Sequence, residues 1–103
     1  MMMRQDYPPA TATVQEDNEL VRVVRWHFPP GTATGWHRHE RDYVVVPTIS
    51  GTLTMIDAEG NQTRYSPTAS ESYFRRCGAE HDVVNLSDST VEFVEIELKK
   101  DEA

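Results

Sequence analysis

The sequence predicts an all-β domain, built as a sandwich or a small barrel. Most segments alternate apolar and polar residues with a period of two, and they end at Gly, Pro, Asn or Ser. No stretch of about ten or more residues keeps a helical period. With 103 residues, of which 38% are hydrophobic and 26% charged, the chain is long enough for one core. We therefore predict a single domain over residues 1–103.

The first half of the chain contains two predicted strands. Residues 20–28, LVRVVRWHF, place Val24 and Phe28 on one face, and the following PPG ends the strand. The run YVVV begins a second strand whose β-branched residues indicate burial, and Pro47 marks a bulge or a sheet edge at its end. Residues 1–12, which include two prolines, are predicted to form a flexible arm or to cross to a partner subunit.

The second half contains a hairpin and three further segments with strand character. TLTMIDAEGNQTRY forms a hairpin with its turn in AEGN, SPTASESYF is a loop that leads into a short strand, and CGAEHDVVNLSD follows a glycine turn. The last strand, TVEFVEIEL, carries Val94 and Ile96 on one face, and Phe93, Glu95 and Glu97 on the other. Short strands separated by turns are typical of a sandwich or barrel.

Charge and composition exclude several classes of partner. The chain has 17 acidic and 10 basic residues and a net charge of −7, so a phosphate backbone would be repelled and no nucleic acid is expected. No apolar run reaches the roughly 18 residues that span a bilayer, and the first residues lack the apolar region of a secretory signal. The single Cys77 allows no intramolecular disulfide. These observations predict a cytoplasmic protein with no membrane partner.

Two histidines stand one residue apart before the YVVV strand. In an extended chain, His37 and His39 lie on the same face about 6.5–7 Å apart, so their rings can converge on one metal ion. Each ligating nitrogen would then lie about 2.0–2.2 Å from the ion. A third ligand is needed, and His81 is the best candidate because Gly78 turns the chain just before it. The alternative is a pair of surface histidines on an edge strand.

The two histidine segments resemble the two signature motifs of the cupin superfamily. The first motif spans about residues 31–51, and the second spans about residues 76–85, with Arg76 where the family usually has proline. TGWHRHERDYVVVP and GAEHDVVN are also similar to a subgroup of small single-domain cupins associated with β-alanine degradation. The matching residues are Gly31, His37, His39 and Gly51 in the first motif, and Gly78, His81 and Asn85 in the second.

The resemblance implies a double-stranded β-helix, or jelly-roll barrel, that pairs as a homodimer. It also implies one divalent transition metal, Fe, Ni, Zn or Mn, held by His37, His39 and His81. Most cupins add a glutamate four or five residues after the second histidine, where this chain has Tyr43 or Val44. Asp42 is out of phase with the inward face and would need a bulge to reach the metal.

The expected function is that of a metal-dependent enzyme acting on a small anionic metabolite. A neutral three-histidine site leaves positions open for a ligand, so a dioxygenase-like reaction or Lewis-acid isomerisation or hydrolysis is predicted. Tyr43 is the candidate catalytic residue, as a hydrogen-bond donor or a proton donor or acceptor; the alternative is a core aromatic residue. A non-catalytic small-molecule or metal-binding module, or a dimerisation module, is the competing function.

Other polar residues have two interpretations each. Arg75 and Arg76 either anchor a substrate carboxylate or remain solvated. Asn85 either caps a turn or orients a metal ligand. Cys77 is either a reactive thiol near the metal or a loop residue, and His27 is interpreted as a surface or interface residue.

Overall fold

The computed structural model describes residues 6–99, and within them the chain forms two antiparallel sheets and no helix. A five-stranded sheet has the order β1-β2-β9-β4-β7, and a four-stranded sheet has the order β3-β8-β5-β6. No helix in this part of the chain could span a membrane. The all-β prediction is confirmed. The strands are β1 Thr11–Asp17, β2 Val21–Phe28, β3 His37–Arg38, β4 Tyr43–Ile49, β5 Leu53–Ile56, β6 Gln62–Tyr65, β7 Tyr73–Arg75, β8 Glu80–Val84 and β9 Val91–Leu98.

The core lies between the two sheets. Phe28 and Val91 of the five-stranded sheet and Leu53 of the four-stranded sheet are fully buried. The rings of Phe28 and Phe93 pack with their centroids 5.4 Å apart. Val24 and Phe28 are both buried, which confirms the inward face predicted for the second strand. Burial of these side chains supplies hydrophobic free energy that holds the two sheets together.

The predicted hairpin and the predicted bulge are both present. In the β5–β6 turn, the Asp57 carboxylate accepts hydrogen bonds from the backbone N–H groups of Glu59 at 3.0 Å and Asn61 at 2.8 Å. This is the local bonding by which aspartate favours turns. The pairing of β4 with β9 shifts register between Pro47 and Ile49. Proline cannot donate a ladder hydrogen bond, so the strand departs from regular pairing there.

The N-terminal segment differs from the flexible arm predicted over residues 1–12. Residues 1–5 lie outside the described residues, but the Ala10 N–H donates to the Ala33 carbonyl at 2.8 Å. The Ala33 N–H donates in turn to the Pro8 carbonyl at 3.0 Å, and β1 begins at Thr11. All seven residues of β1 are exposed, so no alternation of apolar and polar residues marked it as a strand. From Pro8 onwards the segment pairs with its own chain.

The last strand directs its mixed face inward. Tyr43 of β4 pairs with Glu97 of β9, and Val45 pairs with Glu95. Residues paired directly across two strands point to the same side of a sheet, so Glu95 and Glu97 share the inner face with the buried Tyr43 and Val45. The more apolar face of β9, which includes Ile96, therefore lies on the outside of the five-stranded sheet.

Candidate metal centre

The structure brings together the three histidines that the sequence singles out. His37 of β3 pairs directly with His81 of β8, and their ring centroids are 4.7 Å apart. His39 follows β3 and is held in place because its backbone N–H donates to the Ala79 carbonyl at 2.9 Å. One ring nitrogen from each histidine lies within 4.8 Å of the other two. The strand pairing and the one-residue spacing together produce this convergence.

The orientation of the rings fits a divalent transition metal. The Nδ1 atom of His37 lies 2.9 Å from the Gly35 carbonyl and can donate to it, which leaves the Nε2 lone pair directed into the cluster. His37 Nε2 and His39 Nε2 are 3.0 Å apart. Two nitrogens bound at about 2.1 Å and at right angles to one ion would be separated by about 3.0 Å. The three-histidine cluster is thus compatible with metal binding.

A buried carboxylate fixes the loop that orients His37. Gly35 has a φ of +87°, a conformation that favours glycine, and its N–H donates to the Asp82 carboxylate at 3.1 Å. Asp82 is buried, on the strand that also carries His81. The Gly35 carbonyl accepts a hydrogen bond directly from the His37 ring, and Asp82 holds Gly35 in place, so both residues help to orient the imidazole. The sequence contained no motif that assigned this role to Asp82.

Burial keeps two of the imidazoles neutral. It lowers the pKa of His39 to about 3, and the neighbouring His37 and His81 lower it further in the same direction. Burial, followed by His37 and Arg75, lowers the pKa of His81 to about 4. Neutral imidazole is the form that binds a metal ion, so at neutral pH these two ligands need not lose a proton first.

Tyr43, one of the two residues that stand where most cupins have a glutamate, lies against the histidine cluster. Its ring stacks on the His39 ring with centroids 4.0 Å apart and an interplanar angle of 18°. Burial, followed by the charge of Glu95, raises the pKa of Tyr43 to about 12. The hydroxyl is therefore protonated at neutral pH and can donate a hydrogen bond. Asp42 does not turn inward, because its carboxylate accepts the Cys77 backbone N–H at 2.8 Å.

Two carboxylates that the sequence did not identify as site residues line the same cavity. Glu95 and Glu97 project from the inner face of β9. One oxygen from each carboxylate and one His39 ring nitrogen all lie within 4.8 Å of one another. Burial, and then the charge of Glu97, raises the pKa of Glu95 to about 7. The alternation of β9 counted from the buried Phe93 is the signal that could have found them.

The histidines and carboxylates open into a cavity of about 400 Å³ between the sheets. Its walls are mainly apolar and aromatic, and Arg22 and Arg75 add positive charge. A few polar groups in an otherwise apolar cleft are typical of small-molecule sites. The apolar and aromatic lining residues include Val24, Trp26, Val45, Met55, Tyr65, Tyr73, Val83 and Phe93.

The remaining candidates divide between the cavity and the surface. Arg75 lines the cavity, and its guanidinium lies 4.5 Å from the centre of the Tyr73 ring. Arg76 instead lies over the exposed Phe74 ring, outside the cavity lining. His27 Nδ1 is 2.7 Å from a Glu92 carboxylate oxygen on the outer face of the five-stranded sheet. Cys77 is an exposed loop residue.

Comparisons with known proteins agree with this fold and cluster. A family model described as the cupin domain matches residues 24–97. The beta-alanine degradation protein BauB of Pseudomonas aeruginosa is 50% identical over 93 residues, which are 89% of this chain and 96% of that protein. These two matches confirm the resemblance to the β-alanine-associated subgroup of cupins.

Solved structures have the same architecture. A cupin domain protein from Bordetella pertussis superposes with a TM-score of 0.86 at 49% identity, covering 94% of this chain and 100% of that one. A double-stranded β-helix protein from Klebsiella pneumoniae superposes with a TM-score of 0.71 at 21% identity, covering 97% and 85%, and this likeness concerns the fold alone. The fold is the double-stranded β-helix. By sequence and by structure, this chain belongs to the cupin family.

Proposed function

We propose that this chain binds one divalent transition metal through His37, His39 and His81 and acts on a small, carboxylate-bearing metabolite. The observation that carries the proposal is the convergence of three histidine nitrogens, two of them on buried neutral rings, at the wall of a small-molecule cavity. The 50% identity to a protein named for β-alanine degradation supports a role in the catabolism of β-amino acids. Fe, Ni, Zn and Mn are the candidate metals.

The chain's own residues would bind and orient the metabolite. Arg75 offers a guanidinium at the cavity wall for a carboxylate, and the Tyr43 hydroxyl can donate a hydrogen bond beside the histidines. The aromatic walls exclude water from the bound ligand, which strengthens these polar contacts. A bound Fe(II) would supply oxygen chemistry, whereas Zn, Ni or Mn would supply a Lewis acid.

Turnover of a small acid separates an enzyme from a binding module. We expect the metal-loaded protein to consume a member of a panel of β-amino and keto acids, measured by oxygen uptake with Fe(II) and by substrate loss with Ni, Zn or Mn. Binding of such an acid with no consumption under any metal would favour the non-catalytic module. In that case Tyr43, stacked on His39, would fill what would otherwise be the substrate position.

Replacing Tyr43 with phenylalanine tests the proposed hydroxyl. The change keeps the ring stacked on His39 and removes only the donor, so we expect turnover or ligand affinity to fall about tenfold at unchanged thermal stability. Tyr65→Phe, which removes another hydroxyl from the same cavity, is the control and should change either quantity far less. Equal effects of the two substitutions would contradict a specific role for Tyr43.

The proposal includes a cytoplasmic homodimer. The outer face of the five-stranded sheet carries a cross-strand apolar row, Val23, Ile96, Val44 and Phe74, and Phe74 is exposed. An exposed apolar row of this kind favours burial against another protein surface. Sedimentation equilibrium of the purified protein measures the mass in solution. A monomer at micromolar concentrations would contradict this part of the proposal.

A further inference from the structure

The cross-strand register places two carboxylates beside the position that lacks one. In this chain Tyr43 or Val44 stands where most cupins have a glutamate, and of the two Tyr43 lies on the inner face of the sheet. Glu97 is the direct partner of Tyr43 on the neighbouring strand, and Glu95 pairs with Val45 one step further along the same inner face. Both glutamates therefore enter the cavity next to the position of the missing ligand.

In the described part of the chain neither carboxylate forms a side-chain ion pair, although the charge of Arg22 acts to lower the pKa of Glu95. Among residues 6–99, no side-chain ion pair joins Glu95 or Glu97 to a residue across the cavity. Arg22 pairs in the same row as Glu97, but its guanidinium makes an ion pair of 3.6 Å with Asp17 instead. Ionising both carboxylates side by side in a largely apolar cavity costs free energy, and a cation bound beside them would offset that cost.

The histidine cluster is where such a cation would lie. His39 belongs to both clusters, because a ring nitrogen of His39 lies within 4.8 Å of ring nitrogens of His37 and His81, and a ring nitrogen of the same residue lies within 4.8 Å of carboxylate oxygens of Glu95 and Glu97. His39 is also buried, with an exposed fraction of 6%. A glutamate side chain has three rotatable bonds, so a carboxylate at this distance can approach an ion on the histidines by changing rotamer.

We propose that β9 completes the metal centre, with a carboxylate of the Glu95–Glu97 pair coordinating the ion and the other carboxylate balancing its remaining charge. This inference rests on the proposed three-histidine centre. It assigns the anionic ligand to a strand outside both cupin motifs. The formal charge of a divalent ion with the two carboxylates is zero. Added oxygen ligands also shift the site's preference towards Fe(II) or Mn(II) relative to softer metals.

Calorimetric titration of the metal-free protein with NiCl₂ and MnCl₂ tests the inference. The Glu95→Gln/Glu97→Gln double variant should bind each metal about 10- to 100-fold more weakly than the wild type. Comparison of the two single variants, Glu95→Gln and Glu97→Gln, shows which carboxylate accounts for more of the loss of metal affinity. Glu59→Gln/Glu71→Gln is the control, because it removes the same charge from exposed positions, and it should change the affinity less than twofold.

A second double variant separates direct coordination of the metal from general electrostatic attraction. Glu95→Asp/Glu97→Asp keeps both charges and shortens their reach, so we expect a loss approaching that of the glutamine variant if a carboxylate touches the ion. Wild-type affinity in the aspartate variant, or in the glutamine variant, would overturn the inference. The glutamine variant should fold at least as stably as the metal-free wild type, since it removes a buried like-charge contact, and its melting temperature checks this.

His81→Ala, titrated in parallel, distinguishes the failure of this inference from the failure of the centre. If His81→Ala weakens binding and the glutamine variant does not, the three-histidine centre stands and the role of β9 is wrong. If His81→Ala binds as tightly as the wild type, the centre itself is wrong and the inference fails with it.

Discussion

Replacing His81 with alanine is expected to weaken the binding of a divalent metal at least about 100-fold. His81 lies directly opposite His37 across the β3–β8 pair, so its loss removes one of the three histidine nitrogens that converge on the proposed metal site. Competition with a chromophoric chelator, using Zn²⁺ and Ni²⁺, measures the change. The effect should be among the largest of any single substitution because a ligand atom is removed outright.

His27→Ala is the matched control for that substitution. His27 is the one histidine of the four that lies outside the cluster, and its ring pairs with Glu92 on the outer face of the sheet. Its replacement should leave the metal affinity within about twofold of the wild type. Equal affinities for the His81→Ala variant and the wild type would contradict the assignment of His81, and equal losses in both variants would indicate binding to unspecific surface histidines.

Replacing Asn85 with alanine is expected to lower the free energy of unfolding by about 3 kcal/mol or more. Asn85 is fully buried, and its side-chain N–H groups donate to the Phe28 carbonyl at 2.9 Å and the Ser89 carbonyl at 2.8 Å. Its Oδ1 accepts from the Ser87 backbone N–H at 3.0 Å. Alanine would remove the Asn85 donors from two backbone carbonyls and the acceptor from the Ser87 N–H, and the loss of a buried hydrogen-bond partner costs about 1–3 kcal/mol per group.

Urea denaturation of the metal-free protein measures this destabilisation. The stability of a Ser87→Ala variant and the metal affinity of the Asn85→Ala variant are the two controls. Ser87→Ala removes a hydroxyl that donates to Asn85 at 2.6 Å from a partly exposed site, and it should cost about 1 kcal/mol. The metal affinity of folded Asn85→Ala should match that of the wild type, because Asn85 holds a turn and does not line the cavity. A selective loss of metal affinity with unchanged stability would instead favour the ligand-orienting role.

The histidine part of the site could be predicted because it depends on short sequence distances. His37 and His39 are separated by one residue, and strand geometry alone puts both rings on one face. His81 needed the second motif, since its approach to His37 depends on the β3–β8 pairing, which is a contact between residues far apart in sequence. The fold class followed similarly from period-two patterns in most strands.

The rest of the site depends on register, which sequence patterns specify poorly. Glu95 and Glu97 sit in a strand whose other face is the more apolar, so hydrophobicity alone did not indicate that they point inward. Strand β1 was not predicted for a related reason. Its residues are exposed throughout, so its sequence shows no alternation of apolar and polar residues. In both cases the pairing of neighbouring strands, and not the local composition, decides where the side chains lie.

The position of Tyr43 shows how one substitution alters the interpretation of a motif. A glutamate there would bind the metal, whereas the tyrosine ring covers His39 and directs no carboxylate to the ion. The inward carboxylates of β9 give the site a new source of negative charge. The chain therefore keeps the three histidines of the family pattern, and its acidic residues face them from a different strand.

Metal content of the purified wild-type protein tests the central claim most directly. The protein should be prepared without a tag or chelator and compared by elemental analysis with a His37→Ala/His39→Ala variant. We predict close to one equivalent of a single transition metal per chain in the wild type and almost none in the variant. Metal far below one equivalent in the wild type, unchanged in the variant and not restored by added Fe, Ni, Zn or Mn, would contradict the proposed metal centre.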